Sequence, residues 1–283
     1  MSIGRLILAG APLGNPADAS NRLQQALAEA EIIYAEDTRR LRHLADDLGI
    51  IVNGAVYSFF AGNERERITD FRRALENGAS VLLITDGGMP GISDPGYLAI
   101  EAALELGADL DVLPGPSAVT TALVLSGLPM ERFIFDGFAP RTEKARVDYI
   151  HSIKDQMRTI VLFEAPHRIH DLINDLVEVL GGERRIALCR EMTKKYQEVF
   201  RGSLMELQNW ITDREILGEV TLVIEGADPS AVDARSPGEI ARLVAEREGA
   251  GMDRREAVAA VAEALHLRKR EVFDALVASK IEQ

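Results

Sequence analysis

Short apolar runs separated by stretches of helical periodicity constrain this chain more than any other feature. Arg5–Ala9, Ile32–Ala35, Val81–Thr85 and Leu110–Leu113 read as buried strands. Between them Leu23, Ala26, Leu27 and Ala30 recur at helical spacing, as do Ile68, Phe71, Ala74 and Leu75. Strands that alternate with helices need crossover connections, so the first half predicts a mostly parallel sheet covered on both faces. A second series, Phe133–Phe135, Thr159–Phe163, Ile186–Leu188 and Val220–Ile224 with a helix near His170–Leu180, predicts a second α/β domain with a mixed sheet. Gly226–Arg235 reads as a linker. Beyond it Ser236 at an N-cap, Pro237 at the first helical position and Glu239 form a capping-box signature, which Asp253 and Glu256 repeat. With a third helical stretch over Arg268–Ser279 and a turn at His266–Arg268, the end of the chain predicts a small helix-turn-helix-like module. The expected organisation is an α/β domain over 1–116, a second over 117–228 and a helical module over 236–283.

Composition limits what such a chain can do. At 283 residues, 47% hydrophobic and 27% charged, it resembles ordinary soluble proteins. One cysteine, Cys189, excludes an internal disulfide framework and a cysteine-rich zinc site, and fits a reducing cytoplasm. Arg5–Ala11 is too short for a signal-peptide core or a membrane span, so no membrane partner is expected. The net charge of −13 argues against indiscriminate nucleic-acid binding, which depends on neutralising phosphates. Local basic faces remain available at Arg39-Arg40 with Arg42, at Arg141 with Lys144 and Arg146, at Lys194-Lys195 and at Arg268-Lys269-Arg270. Each is also readable as a solvated surface.

Ligands of open parallel sheets bind beyond the carboxyl ends of the strands. Three loops there are rich in glycine and proline: Gly10–Pro16, Asp86–Gly96 and Pro114–Ala118. Glycines permit close backbone approach and prolines fix the path, so together the loops can wall a ligand site. No GxGxxG or Walker A pattern is present, which disfavours a dehydrogenase or a nucleotide phosphate cradle. The five histidines are scattered; His167 and His170 lack a third ligand, so no metal is expected. Polar groups flank the loops at Glu36-Asp37-Thr38-Arg39, Asn63-Glu64, Glu164 to Arg168, and Arg190 to Lys194. Carboxylates beside arginines are either loop-tying pairs or substrate clamps, and spacing alone leaves both open.

The segments AEDTR at 35–39, NE at 63–64, TDGGMPGISDPG at 85–96, PGPSA at 114–118, SGLP at 126–129, GFAPR at 137–141, FEAPHR at 163–168 and REMTK at 190–194 resemble, in order and spacing, the ribosomal small subunit methyltransferase I family of the tetrapyrrole-methylase superfamily. The resemblance implies two α/β domains with a cofactor cleft between them, a homodimer, S-adenosyl-L-methionine as cofactor, and 2′-O-methylation of a cytidine in 16S ribosomal RNA of the small subunit. It implies cofactor contacts at Leu8, Pro12, Asp86, Met89, Ser117, Ala118, Phe163 and Val220. It places the candidate catalytic residues in matching motifs: Asp37 and Arg39 as a substrate-orienting pair, Glu191 or His167 near the hydroxyl, and Lys194 or Arg168 on phosphate. A tetrapyrrole or diphthine-type methylase of the same fold is the nearest alternative, and a non-catalytic assembly factor binding RNA through the terminal helices is another.

Overall fold

Five strands make an entirely parallel sheet in the order β3-β2-β4-β1-β5: β1 Arg5–Ala9, β2 Ile32–Ala35, β3 Ala55–Ser58, β4 Ser80–Ile84 and β5 Asp109–Leu113. In this computed structural model residues 3–228, 236–265 and 267–279 are described. The sheet belongs to one of two compact units, Met1–Leu125 with Cys189–Glu198; the other is Ser126–Leu188 with Val199–Gln283. The helix after Pro116 thus keeps company with the first unit, whereas the sequence reading began a new domain there.

The central strand explains the apolar run. Leu82 and Ile84 enter a core with Leu23, Leu27 and Leu41, while Val81 and Leu83 point the other way to Phe59, Phe71, Leu75 and Ala99. A strand buried on both faces must be apolar throughout, as parallel sheets require. Each fully buried Leu, Ile or Phe contributes roughly 1.5–3 kcal/mol of transfer free energy. The covering helices are α1 Asn21–Glu29, α2 Thr38–Asp47, α3 Glu64–Glu76, α4 Tyr97–Leu106 and α5 Ala118–Ser126. Strand β3 was not expected; it is a four-residue edge strand without a fully buried position, so it carries no apolar run.

Register makes this unit a platform. Ser58 pairs with Ala35, Ala35 and Ala9 with Ile84, and Ala9 with Leu113. The carboxyl ends of all five strands are therefore flush, and their loops leave from one edge.

The second unit is built on a mixed sheet, order β6-β7-β10-β8-β9, of β6 Phe133–Phe138, β7 Thr159–Glu164, β8 Arg185–Arg190, β9 Glu198–Ser203 and β10 Val220–Ile224. Strand β7 runs parallel to β6 and antiparallel to β10. Helices α6 Glu143–Ser152, α7 Ile169–Leu180 and α8 Leu204–Ile211 cover one face, with Ile150, Leu172, Ile173, Leu176 and Leu207 fully or nearly fully buried. Arg146 corrects the expectation of a basic surface at 141–146. Its guanidinium is buried and bonded to Asp175 at 2.6 Å.

Three helices end the chain: α9 Pro237–Gly249, α10 Arg254–Ala264 and α11 Lys269–Ala278, packed on one another through Ile240, Val244, Ala257, Val261, Val272 and Leu276. Ser236 caps α9 by accepting the Glu239 N–H, but the Glu239 carboxylate turns to Arg242 instead of completing the box. At α10 Asp253 and Glu256 cap reciprocally. Positions 229–235 of the expected linker and His266 of the expected turn lie outside the described residues. Among those described, no helix is long and apolar enough to cross a membrane.

Candidate active site

At the flush edge of the parallel sheet, three loops touch. The loop after β1 and the loop after β4 join through a two-bond bridge, Ala11 N–H to Gly88 O at 2.8 Å and Gly88 N–H to Ala11 O at 3.0 Å. The loop after β5 closes on the first: a Cβ added at Gly10 would stand 2.6 Å from the Gly115 nitrogen and 2.8 Å from the Met89 sulfur. One added at Gly115 would stand 2.7 Å from the Gly10 oxygen. Real Cβ atoms do not approach backbone this closely, so the two glycines are required for the loops to meet. Gly88 adds a φ of +77°, a backbone conformation costly for any other residue. Helix α5 begins at Ala118 directly behind Ser117, so its first, intrinsically unpaired N–H groups lie beside this junction.

Behind the junction is a carboxylate network. Asp86 donates its N–H to Glu36 Oε2 at 3.1 Å and its own Oδ1 accepts the Asp37 N–H at 3.1 Å. Arg40, rather than Arg39, reaches Asp86, at 3.4 Å. Asp37 accepts the Arg39 N–H at the start of α2 and also holds the Arg39 guanidinium at 2.7 Å. Hydrogen bonds from Arg39 hold the Asp37 carboxyl well below the usual carboxylate range. Burial pushes Glu36 upward, against the lowering effect of the Asp86 N–H. A carboxylate of raised affinity for protons in a strand-end crevice is a recurrent mark of functional sites.

The REMTK segment joins the same unit. The methylenes of Lys194 occupy the space a Cβ on Gly14 would need, and Lys194 Nζ lies 2.9 Å from Glu191 Oε1. Glu191 and Thr193 have φ of +50° and +65°, conformations that non-glycine residues adopt at a cost and that cluster at functional sites. Two hydroxyls in this unit, Thr85 at the root of the second loop and Thr193, are buried with no hydrogen-bond partner among the described residues.

The first unit thus brings together Pro12, Asp86, Met89, Ser117, Ala118, Asp37, Arg39, Glu191 and Lys194. Leu8 belongs to it too, but inside β1, where its side chain packs on the sheet core. Phe163, Val220 and His167 lie in the second unit. Phe163 is half-buried in an aromatic cluster, 4.8 Å from Phe135 and 5.7 Å from Phe138. Strand register sets Val220 opposite Glu164 and Thr221 opposite Phe163, and Val220 is buried in the core, so Thr221 shares the Phe163 face and Val220 does not. His167 is exposed on the turn after β7. Arg168 is committed internally, donating to the Ala139 and Pro140 carbonyls at 2.7 and 2.9 Å and facing the buried Glu164 at 3.3 Å. Sequence reasoning missed Arg40, Thr85 and the pairing of Glu36 with Asp86. Glu36, Thr85 and Asp86 stand inside quoted motifs and Arg40 inside a basic cluster, but no spacing in the sequence pairs them.

Comparison with known proteins places the chain in a family. Residues 5–208 match the tetrapyrrole (corrin/porphyrin) methylases. Solved structures with the same fold include uroporphyrin-III C-methyltransferase from Thermus thermophilus, with a TM-score of 0.55 and 19% identity over 78% of this chain and 94% of that one. A diphthine synthase superposes with a TM-score of 0.59 at 18% identity, covering 78% of this chain and 89% of the other. Much nearer in sequence is the ribosomal RNA small subunit methyltransferase I of Mycobacterium bovis, 47% identical over 100% of this chain and 98% of that protein. The Thermotoga maritima protein of the same name is 39% identical, matching 80% of this chain and 100% of its own length. The chain belongs to the ribosomal RNA small subunit methyltransferase I family, within the tetrapyrrole methylases.

Proposed function

We propose that this chain uses S-adenosyl-L-methionine to methylate the ribose 2′-hydroxyl of a cytidine in 16S ribosomal RNA, on the small ribosomal subunit. The observation that supports the cofactor assignment is the junction of Gly10, Met89 and Gly115, a closely packed loop wall that a Cβ at either glycine would force apart. At the root of the second loop the buried Thr85 hydroxyl has no hydrogen-bond partner among the described residues. Loop amides, the start of α5 and the Asp86 carboxylate suit a ligand carrying a carboxylate, an ammonium and a ribose. Pro12, Ser117 and Ala118 would line it, with Met89 against its thioether side. Phe163 supplies an aromatic face in the second unit, where Thr221 is the better neighbour than Val220.

When bound, the cofactor supplies an electrophilic methyl group on a cationic sulfur. Transfer of that methyl to the ribose oxygen, with the sulfur as leaving group, would free the hydroxyl proton, which a side chain of this protein must take up. We assign that proton to Glu191, whose neighbour Lys194 would hold the adjoining phosphate; exposed His167 is the alternative acceptor. A positioned base of this kind typically contributes about 10²–10⁴-fold. Arg39, oriented by Asp37 and 81% exposed, offers its guanidinium to the RNA backbone. A homodimer is part of the proposal. The edge strand β5 exposes Leu110 and Val112, a surface that folded proteins usually cover.

The test is methyl transfer to small subunits from a strain deleted for its own family member, with mass mapping of the modified nucleoside. One new ribose methyl on a cytidine is expected. Base methylation, or transfer to a tetrapyrrole or to modified elongation factor instead of RNA, would overturn the assignment.

A further inference from the structure

We infer that Phe60 is a stacking platform for a nucleobase of the RNA substrate, a reading that rests on the RNA assignment above. Phe59 and Phe60 follow β3 in sequence, and the fold uses only the first. Phe59 is fully buried against Tyr34 and Phe71. Phe60 is 45% exposed and joins none of the core clusters described above. An exposed apolar side chain by itself is unremarked in folded proteins. Phe60 differs because its backbone is pinned in a hydrogen-bonded turn and its ring lies against Gly62.

Its carbonyl accepts the N–H groups of Asn63 and Glu64, both at 2.9 Å, and its N–H donates to Asn63 Oδ1 at 2.8 Å. The Asn63 amide in turn donates to the Ser58 carbonyl and hydroxyl at 3.2 and 3.1 Å, so the turn is locked to the end of β3. The ring lies over Gly62: a Cβ there would meet Phe60 Cε2 at 2.6 Å and Cδ2 at 3.2 Å. Glycine therefore lets the ring rest on the backbone, which backs it on one side. An aromatic on a fixed turn, backed on one side and open on the other, gives up few rotamers when a flat partner stacks on it.

Position and charge select the partner. The turn leaves the same flush edge as the catalytic loops, since Ser58 pairs with Ala35 and Ala35 with Ile84. Glu64, next in the turn, accepts the Gly96 and Leu98 N–H groups at 3.0 and 3.2 Å, tying the turn to the loop that begins at Asp86. Across the neighbouring strand end, α2 opens with Arg39, Arg40 and Arg42, all exposed, in a chain of net charge −13. An aromatic face beside arginines is how proteins hold unpaired nucleotides: the ring takes the base and the guanidinium groups take phosphate. The structure assigns Phe60 to a base flanking the methylated nucleotide, holding the strand so that the target ribose stays at the strand-end loops.

The experiment compares Phe60→Ala and Phe60→Trp with the wild-type protein, using unmethylated small subunits and isotopically labelled S-adenosylmethionine. For Phe60→Ala the KM for subunits should rise about tenfold or more, the scale of one base–aromatic stack. Its cofactor affinity, melting temperature and sedimentation coefficient should stay at wild-type values. Phe60→Trp should keep a KM near wild type, and its fluorescence should be quenched by subunits beyond any change from Trp210 in the wild-type protein. A wild-type KM for Phe60→Ala overturns the inference and leaves the RNA reading standing. Loss of cofactor affinity, of folding, or of oligomeric state in Phe60→Ala assigns the ring a structural or interface role and also overturns it. If wild-type protein transfers no methyl to subunits, the RNA reading falls, and this inference with it.

Discussion

Replacing Gly115 by Ala tests whether the three-loop junction is a ligand wall. The added Cβ would stand 2.7 Å from the Gly10 oxygen, 2.8 Å from its carbonyl carbon and 3.0 Å from its Cα. All three are backbone atoms of a loop held by the Gly10 N–H to Leu113 O bond, so no flexible side chain can yield. Relief requires one loop to shift by several tenths of an ångström, and overpacking of this kind costs about 1–3 kcal/mol. For chains of this size class each kcal/mol lowers the melting temperature by roughly 2–4 °C. The larger effect should fall on S-adenosylmethionine, because the moved loop carries the proposed contacts. A loss of about 1.4 kcal/mol in binding is tenfold in affinity, and tenfold or more is expected by calorimetry. Gly107→Ala is the control. Its φ of +70° makes substitution costly to stability, yet nothing lies within 4 Å of its Cβ, so cofactor affinity should be unchanged. Wild-type affinity in Gly115→Ala would refute the reasoning: if the melting temperature also fell, the junction would be a scaffold and the cofactor would lie elsewhere.

Asp86→Ala removes the acceptor of the Asp37 N–H and the partner of Arg40; cofactor affinity should fall by about 1–3 kcal/mol, and a chelator should leave wild-type binding unchanged, both read by calorimetry. Arg146→Ala strands the mostly covered Asp175 carboxylate and should destabilise by up to about 3 kcal/mol in denaturant melts, with Arg146→Met combined with Asp175→Leu recovering most of it; a stable Arg146→Ala with weakened RNA binding would return Arg146 to the surface. Because burial raises Glu36, the folded state holds its proton more tightly than the unfolded chain does. Its relative stabilisation is therefore full below the ordinary carboxylate value and is lost as pH rises through the raised one. Glu36→Gln should then gain stability over wild type as pH rises above the ordinary carboxylate value of about 4.3 in urea titrations; a difference that does not change with pH would contradict the burial argument. Removing the chain beyond Gly226 should preserve cofactor affinity and abolish transfer to small subunits; full transfer by the truncated protein would end any substrate-docking role for the terminal helices.

The alternating architecture was legible because it is written in local pattern. A strand buried on both faces, such as Val81–Ile84, must be apolar at every position, and a helix against it must repeat every three to four residues. Capping was legible for the same reason, since Ser236 and Asp253 act within one turn of themselves. Strand β3 escaped because an edge strand half in solvent has no such run, and β9 because Glu198–Ser203 mixes charge, glycine and a single aromatic. The glycine-rich loops could be found in the sequence, but their contact at Gly10, Met89 and Gly115 could not. That contact follows from the order in which the strands lie, which places β1 between β4 and β5 and so brings residues 10, 89 and 115 to one point. Partner choice among charges was decided the same way. Sequence offered Arg39 beside Asp37, and Arg146 within a basic cluster. The fold gave Asp86 to Arg40 and buried Arg146 on Asp175, because where a long side chain finds its counter-charge depends on the neighbouring strand or helix, which no local spacing records.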